Sequence, residues 1–345
     1  MKKSVNITDV ARLAGVSTAT VDRVLNRRPG VRPATAQRVL KVATRLEYIS
    51  PADVYSEIRP KPMRITFLLP GGTNRVIHMF GDAIDYSQEQ LAPFNAKCRC
   101  EFIDEFNPQA LAEHLLRMRE HADGVAFMAL DHPLVREAVK TLADAGIPTV
   151  TLISDLSASE RSAYVGLDNV AAGRTAGYLL GRLSGTNPGK FAMIAGSLLY
   201  CAHRDREFGF TQIMAEMFPN KQLIGIREGR DDSHTNYVLT KALLKQHPDL
   251  CGVYNIGGAS EGVAQAINEA RRQEKIVFVS HGLTSDIRAL LIDGTMDAVI
   301  MQDPQTAIVS CVRILTHLHT GGDGQASAAR VKPVNSIVIC RENLP

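Results

Sequence analysis

No apolar run in these 345 residues approaches the roughly 20 needed to cross a bilayer, so a transmembrane helix is not expected. Met1-Lys2-Lys3-Ser4-Val5-Asn6 leads into polar helix signals rather than an apolar signal core, which predicts a protein that stays in the cytoplasm. There are six cysteines, and none has the pair spacing of a metal site. Cys98 and Cys100 are one residue apart, would share a face of an alternating strand, and read as buried reduced thiols. His317 and His319, two apart, are poorly spaced for joint ligation on a helix, so neither a metal nor another cofactor is expected. Gly185-Thr186-Asn187-Pro188-Gly189-Lys190-Phe191 lacks both the length and the final Ser or Thr of a phosphate loop. There is no short internal repeat and no low-complexity tract.

What is present is a sharp division of charge. Residues 1–62 hold twelve Lys and Arg against five Asp and Glu, a net +7, while the remaining 283 hold 27 against 31, a net −4. The whole-chain +3 therefore conceals two oppositely charged parts. From Arg23 to Leu46 there are seven basic residues, among them Arg27, Arg28 and Arg32, and no acid. Such a cluster suits phosphate contacts, which position a protein on a duplex and make its affinity fall with salt. The plain alternative is a solvated basic surface.

The basic segment lies on a pattern of three short helices. Ile7, Val10, Ala11 and Ala14 recur at helical spacing behind Asn6, a good N-cap, and Gly15 breaks the run. Ser17 caps a second helix with Val21, Val24 and Leu25 on its apolar face, and Asn26 suits a left-handed helix end. A third helix is predicted from Pro33 to about Leu46, with Val39, Val42, Ala43 and Leu46 inward. Two helices across a tight turn form a DNA-reading unit, whose second helix would offer Thr18, Ala19 and Thr20 to base edges in the major groove.

Residues 6–49 resemble the headpiece of the lactose-repressor (LacI) family of bacterial transcription regulators, through Thr8-Asp9-Val10-Ala11, Ala14-Gly15-Val16-Ser17, Thr20-Val21, Arg23-Val24-Leu25-Asn26, Thr35, Val39 and Tyr48-Ile49. The resemblance implies that Thr18 and Ala19 read bases, that Arg23 makes a further major-groove contact, and that Ser17, Thr20 and Asn26 meet the backbone or cap helices. Two positions depart from the pattern. Asp22 stands where Ser is usual, so either it holds Arg23 or a nearby Arg, or the docking angle differs. In the segment 50–60, the place of a groove-wedging Leu falls on Glu57, whose charge opposes insertion, with Ile58 the alternative after a one-residue shift.

From Arg64 onward short β-branched runs alternate with amphipathic helical stretches, a pattern of parallel sheets with right-handed crossovers. Predicted strands are Ile65–Leu69, Cys98–Ile103, Gly124–Leu130, Pro148–Ile153, Phe191–Ala195, Leu223–Ile226, Gly252–Ile256, Ile276–Ser280 and Ala298–Met301; helices include Pro108–His121, Pro133–Ala145, Val170–Leu183 and Ser260–Arg271. So many strands exceed one sheet, and the Ser-rich, charged Ser154–Ser162 is expected to pass between two lobes. Pro60-Lys61-Pro62 reads as a stiff linker.

This body resembles the sugar-binding core shared by LacI-family regulators and periplasmic ribose-type binding proteins. The implied architecture is an N-terminal all-α helix-turn-helix headpiece, residues 1–60, plus an α/β two-lobed type I periplasmic-binding-protein-like domain of doubly wound parallel sheets, residues 63–340. Lobe 1 would comprise about 63–164 and 303–324, and lobe 2 about 165–302 and 325–340, with a ligand in the cleft beyond the strand ends. Arg206 falls on the family's hydroxyl-gripping arginine, Asn255 on a hydroxyl-binding amide, His281 where Asp is usual, and Gln302 near the last crossover. Arg, Asn and Gln offer donors and acceptors suited to a sugar or polyol. His281 adds a group expected to titrate near neutral pH and leaves a phosphorylated, carboxylated or inositol-like ligand open. The family's Asp-Arg pair after Thr151-Leu152 is replaced by Ile153-Ser154, and Asp168 reads as a helix N-cap.

The reading that follows is a cytoplasmic, ligand-responsive repressor that binds near-palindromic operator DNA as a homodimer or higher oligomer. One rival is a solute-binding protein of the same fold, which would need a secretion signal and no basic head. The other is a hydrolase, because Gly258-Ala259-Ser260-Glu261-Gly262 spells a nucleophile elbow, with Asp286 or Asp293 and His317 as formal partners. No second Gly-rich segment supplies an oxyanion hole, so no catalytic residue is expected.

Overall fold

The structure is a computed structural model that describes residues 6–26, 28, 30–49, 61–319 and 334–345. Arg27 and the segment 50–60, with Glu57 and Ile58, lie outside the described residues. The chain divides into two compact units, Met1–Pro62 and Met63–Pro345.

The first unit contains α1 (Ile7–Ala14), α2 (Thr18–Leu25) and α3 (Pro33–Arg45). Asn6 closes a capping box on α1: its Oδ1 accepts from the Thr8 and Asp9 amides at 3.0 and 3.1 Å, and its own amide donates to Asp9 Oδ2 at 3.2 Å. Gly15 ends α1 at φ 65°, the left-handed cap that glycine adopts without a Cβ penalty. Ser17 Oγ then accepts the Thr20 amide at 3.2 Å and starts α2. The core is small: Val10, Ala11, Ala14, Val21, Val39 and Ala43 are buried together. Asn26 departs from expectation: just past the end of α2 its φ is −100° rather than left-handed, and its side chain donates back to Asp22 Oδ1 at 2.7 Å.

The second unit has two sheets. The first takes β1 (Met63–Pro70), β2 (Ala96–Ile103), β3 (Gly124–Phe127), β4 (Thr149–Leu152) and β5 (Ala163–Val165) in the order β2-β1-β3-β4-β5, all parallel. Helices Arg75–Tyr86 (α4), Pro108–His121 (α5) and Pro133–Asp144 (α6) connect these strands, each with its apolar stripe inward. The second sheet takes β6 (Gly189–Ala195), β7 (Lys221–Glu228), β8 (Leu250–Asn255), β9 (Val277–His281), β10 (Ala298–Met301) and β11 (Ile337–Ile339) in the order β11-β10-β9-β8-β6-β7. Among the described strands only the β10–β11 pair is antiparallel. Its helices are Asn169–Leu183 (α7), Cys201–Met217 (α8), Ser233–Gln246 (α9), Ser260–Glu269 (α10) and Ser285–Ile292 (α11).

Ser154–Ser162 does not pass between lobes: it joins β4 to β5 within the first sheet, where the short strand β5 was missed. The chain reaches the second lobe across residues 166–168, returns at 302–303 into Pro304–His319 (α12), whose Ile308, Cys311 and Leu315 pack into the first lobe's core, and ends on β11 in the second sheet. Val334 donates its amide to the Gly166 carbonyl at 2.9 Å, tying two crossing segments together. No described helix is long and apolar enough to cross a membrane.

Candidate functional site

On the head, the candidate DNA-reading side chains are presented by α2. Ser17, Thr18, Ala19, Arg23, Asn26, Arg28 and Arg32 are exposed and Thr20 is half-buried. Ser17 and Thr20 are also engaged with each other, their hydroxyls 3.0 Å apart, so they cap the helix while facing out. Asp22 turns to Asn26 and to Arg28, whose Nη1 lies 3.3 Å from Asp22 Oδ2, and not to Arg23. Among the described residues no carboxylate pairs with Arg23 or Arg32, so these two cations remain available to an external anion.

In the body, a cleft between the two lobes is lined by polar groups of unequal origin. The second lobe and its crossover supply His203, Arg206, Asp231, His281 and Gln302; the first lobe supplies Asn74. The apolar wall comes from Val76, Ile77, Phe80 and Met128 on one side and Ile256 and Ile300 on the other, around a cavity of about 60 Å³.

Arg206 is buried and fixed twice: Nε donates to Asn169 Oδ1 at 2.8 Å and Nη1 to the Ile256 carbonyl at 2.9 Å. Asn169 in turn donates to the Tyr164 hydroxyl at 3.0 Å, and that hydroxyl sits 3.0 Å from the carbonyls of Ile153 and Leu167. The arginine's orientation is thus set from the first crossing segment. Close contact of α7 and α8 permits this: a Cβ at Gly173 would lie 2.0 Å from the Arg206 carbonyl oxygen. Asp168, read as an N-cap, accepts the Ala171 amide at 2.9 Å and starts α7.

Asp231 was not anticipated from the sequence. It is buried, its Oδ1 accepts the Gly258 amide at 2.7 Å, and its Oδ2 accepts from Asn74 Nδ2 at 2.7 Å, a bond between the lobes. Arg230 and Asp231 are both left-handed, at φ 54° and 51°, conformations that cost residues with a Cβ about 1–3 kcal/mol each and cluster at ligand clamps. Burial pushes the Asp231 carboxyl up, against the opposing pull of Gly258, Asn74 and Arg206. Further bonds close the lobes: Thr73 Oγ1 to the Asp231 carbonyl at 2.9 Å, Arg75 to Asp286, Arg204 to Asp131 at 2.5 Å, and the Asp131 amide to the Leu199 carbonyl at 2.8 Å.

Three of the four ligand candidates, Arg206, His281 and Gln302, come together here. Asn255 does not. Its Nδ2 donates to the Gly258 carbonyl and to Ser260 Oγ, both at 2.8 Å, holding the turn from β8 into α10. His281 Nε2 is 2.6 Å from the Tyr254 hydroxyl. The expectation that it titrates near neutral pH fails, because burial, then the charges of Arg206 and His203, drive its pKa well below 6.5. His203 is likewise pushed down to about 3 by burial and Arg206, so both rings are neutral at physiological pH. Gln302 Oε1 is buried with no hydrogen-bond partner among the described residues, an acceptor left for a bound molecule, whereas His281 also meets the Ile300 backbone.

Among the described residues no histidine or carboxylate is hydrogen-bonded to the nucleophile-elbow serine. Ser260 Oγ contacts Ser280 Oγ at 2.6 Å and receives Asn255 Nδ2; Asp286 is paired with Arg75, and Asp293 caps the Thr295 amide at 2.8 Å. Cys98 and Cys100 share a face but are half-buried rather than buried, and burial pushes both thiols up to about 12, which keeps them unreactive. Among the described residues no group of three or more His, Cys, Asp or Glu is placed to hold a metal.

A helix-turn-helix head and a two-lobed, doubly wound binding unit define the class. The chain belongs to the periplasmic binding protein domain family, matched over residues 82–323, and carries a head of the bacterial regulatory proteins, lacI family, over residues 6–50. It is similar to catabolite control protein A of Priestia megaterium, 30% identical over 153 residues, 44% of each chain. It is also similar to the HTH-type transcriptional repressor PurR of Vibrio parahaemolyticus, 27% over 212 residues, 61% of this chain and 60% of that one. The head alone is 52% identical over 44 residues to the sucrose operon repressor of Shigella flexneri, 13% of each chain. The matches thus span about half the length of these curated relatives. In fold, the chain is similar to a glucose-galactose binding protein of Geobacillus stearothermophilus, with a TM-score of 0.74 at 21% identity, covering 83% of this chain and all of that one. A Burkholderia graminis solute-binding protein solved with D-arabinose gives the same TM-score and identity over 83% and 97%.

Proposed function

We propose that this chain is a ligand-responsive DNA-binding repressor acting in the cytoplasm, whose effector is a small sugar- or polyol-like molecule. The observation that carries the reading is the joining, in one chain, of an exposed capped helix bearing Thr18, Ala19 and unpaired Arg23 to a buried cleft bearing Arg206, Asp231 and Gln302. On the DNA side Thr18 and Ala19 read base edges, Arg23 adds a groove contact, and Arg32 with Arg27 meets phosphates. Asn26 and Arg28 are held by Asp22 and position α2. On the effector side Arg206, His281 and Gln302 hold the molecule, and Asn255 supports the turn beneath.

Repression requires that ligand and DNA sense each other. In this reading lobe closure, supported by bonds such as Asn74–Asp231 and Arg204–Asp131 between the lobes, changes the spacing of two heads in a homodimer on a near-palindromic operator. Such coupling is worth about 1–3 kcal/mol in either direction. Selection of random duplexes on the full-length chain at low salt tests the reading. Enrichment of a near-palindrome is the expected outcome, and recovery of no preferred sequence would refute it.

A further inference from the structure

The charge inside the cleft restricts the effector more narrowly than the fold does. Its lining holds one guanidinium, Arg206, and one carboxylate, Asp231, while His203 and His281 are neutral. A phosphate ester brings about −1.5 to −2 charges at neutral pH, which one arginine beside a carboxylate leaves uncompensated in a buried site. Hydroxyl groups fit instead. Each Asp231 oxygen has accepted one protein donor and keeps a lone pair, Gln302 Oε1 has no partner among the described residues, and two of the five N–H groups of Arg206 are engaged by protein. A hydroxyl both donates and accepts, so it satisfies acceptor and donor neighbours together.

The placement of Asp231 is built rather than incidental. Consecutive left-handed residues swing its carboxylate against Gly257, where an added Cβ would lie 2.3 Å from Oδ1.

Resting on the reading of this cleft as the effector site, we infer that Asp231 is its specificity-determining residue and selects a small uncharged polyol of monosaccharide size over any phosphorylated form. The test uses the full-length chain in thermal-shift and calorimetric titrations with D-ribose, ribitol, D-glucose and myo-inositol and with the monophosphate of each. The expected result is stabilisation by at least one neutral compound and not by its phosphate. Asp231→Asn then weakens that compound roughly ten- to a hundredfold, the scale of a hydrogen bond to a charged group. A phosphate bound more tightly than its parent, or a folded Asp231→Asn that binds the parent like the natural chain, overturns the inference and leaves the effector-cleft reading intact. If Asp231→Asn does not fold, the parent-versus-phosphate comparison decides alone. Binding of no compound, neutral or phosphorylated, overturns both.

Discussion

The head and the cleft deploy charge in opposite ways. The head exposes its cations: Arg23 and Arg32 stand in solvent, and the unit is held by a small core around Val10, Val21 and Val39. The cleft buries its charges and balances them, with Arg206 fixed by two protein acceptors and Asp231 by two donors. A phosphate backbone is a high-charge partner that releases counterions, so exposed cations suffice for affinity. A small neutral molecule has no such field, and a site for it must offer prealigned hydrogen bonds whose unmade state is costly. The difference teaches that the two sites should fail independently and respond to different solution variables.

Val21→Asp breaks the comparison most severely. An unpaired charge in so small a core exceeds what the unit can absorb, and duplex binding should vanish while effector titrations of the body stay unchanged. Loss of both would mean that the units are not separable. Salt comes next: if six to ten phosphates are contacted, duplex affinity should fall by about 10³–10⁵ between 50 and 200 mM salt. Effector affinity, measured by calorimetry over the same range, should stay flat because both charges are buried. Arg206→Ala leaves Asn169 Oδ1 and the Ile256 carbonyl without their donor and should cost about 1.5–3 kcal/mol of effector affinity, without touching duplex binding in the absence of effector.

The smallest effect concerns pH. Burial, and then Asp231, raise the Glu105 carboxyl from 4.5 to about 7, with Arg230 opposing. The folded body therefore holds a proton that the unfolded chain releases near 4.5, so this group costs nothing below that pH, and stability is lost as pH rises through about 7. Glu105→Gln should flatten melting temperatures between pH 5 and 8, and an unchanged slope would assign it to another group.

The same contrast governs what the sequence made legible. The head's site is local: Asn6, Gly15 and Ser17 cap neighbouring residues, so spacing alone located α1, α2 and the exposed face of Thr18 and Ala19. The cleft is assembled from several loops of two lobes. Arg206, His281 and Gln302 were reachable through motif resemblance, but Asp231 was missed because β7 was expected to stop at Ile226. On this edge strand the apolar run ends there, while backbone pairing continues to Glu228 and carries the loop onward to Arg230 and Asp231. Asn74, on the opposite lobe, has no motif around it. Asn255 misled because a strand-end amide looks alike whether it faces a ligand or ties down its own turn. The three-residue strands β5 and β11 are too short for periodicity to register.

The most direct test of the account is the affinity of the full-length chain for its selected duplex, measured by fluorescence anisotropy with and without a saturating cleft-binding polyol. A shift of about five- to 150-fold, in either direction, is the predicted result. A duplex affinity that saturating ligand leaves unmoved would contradict it.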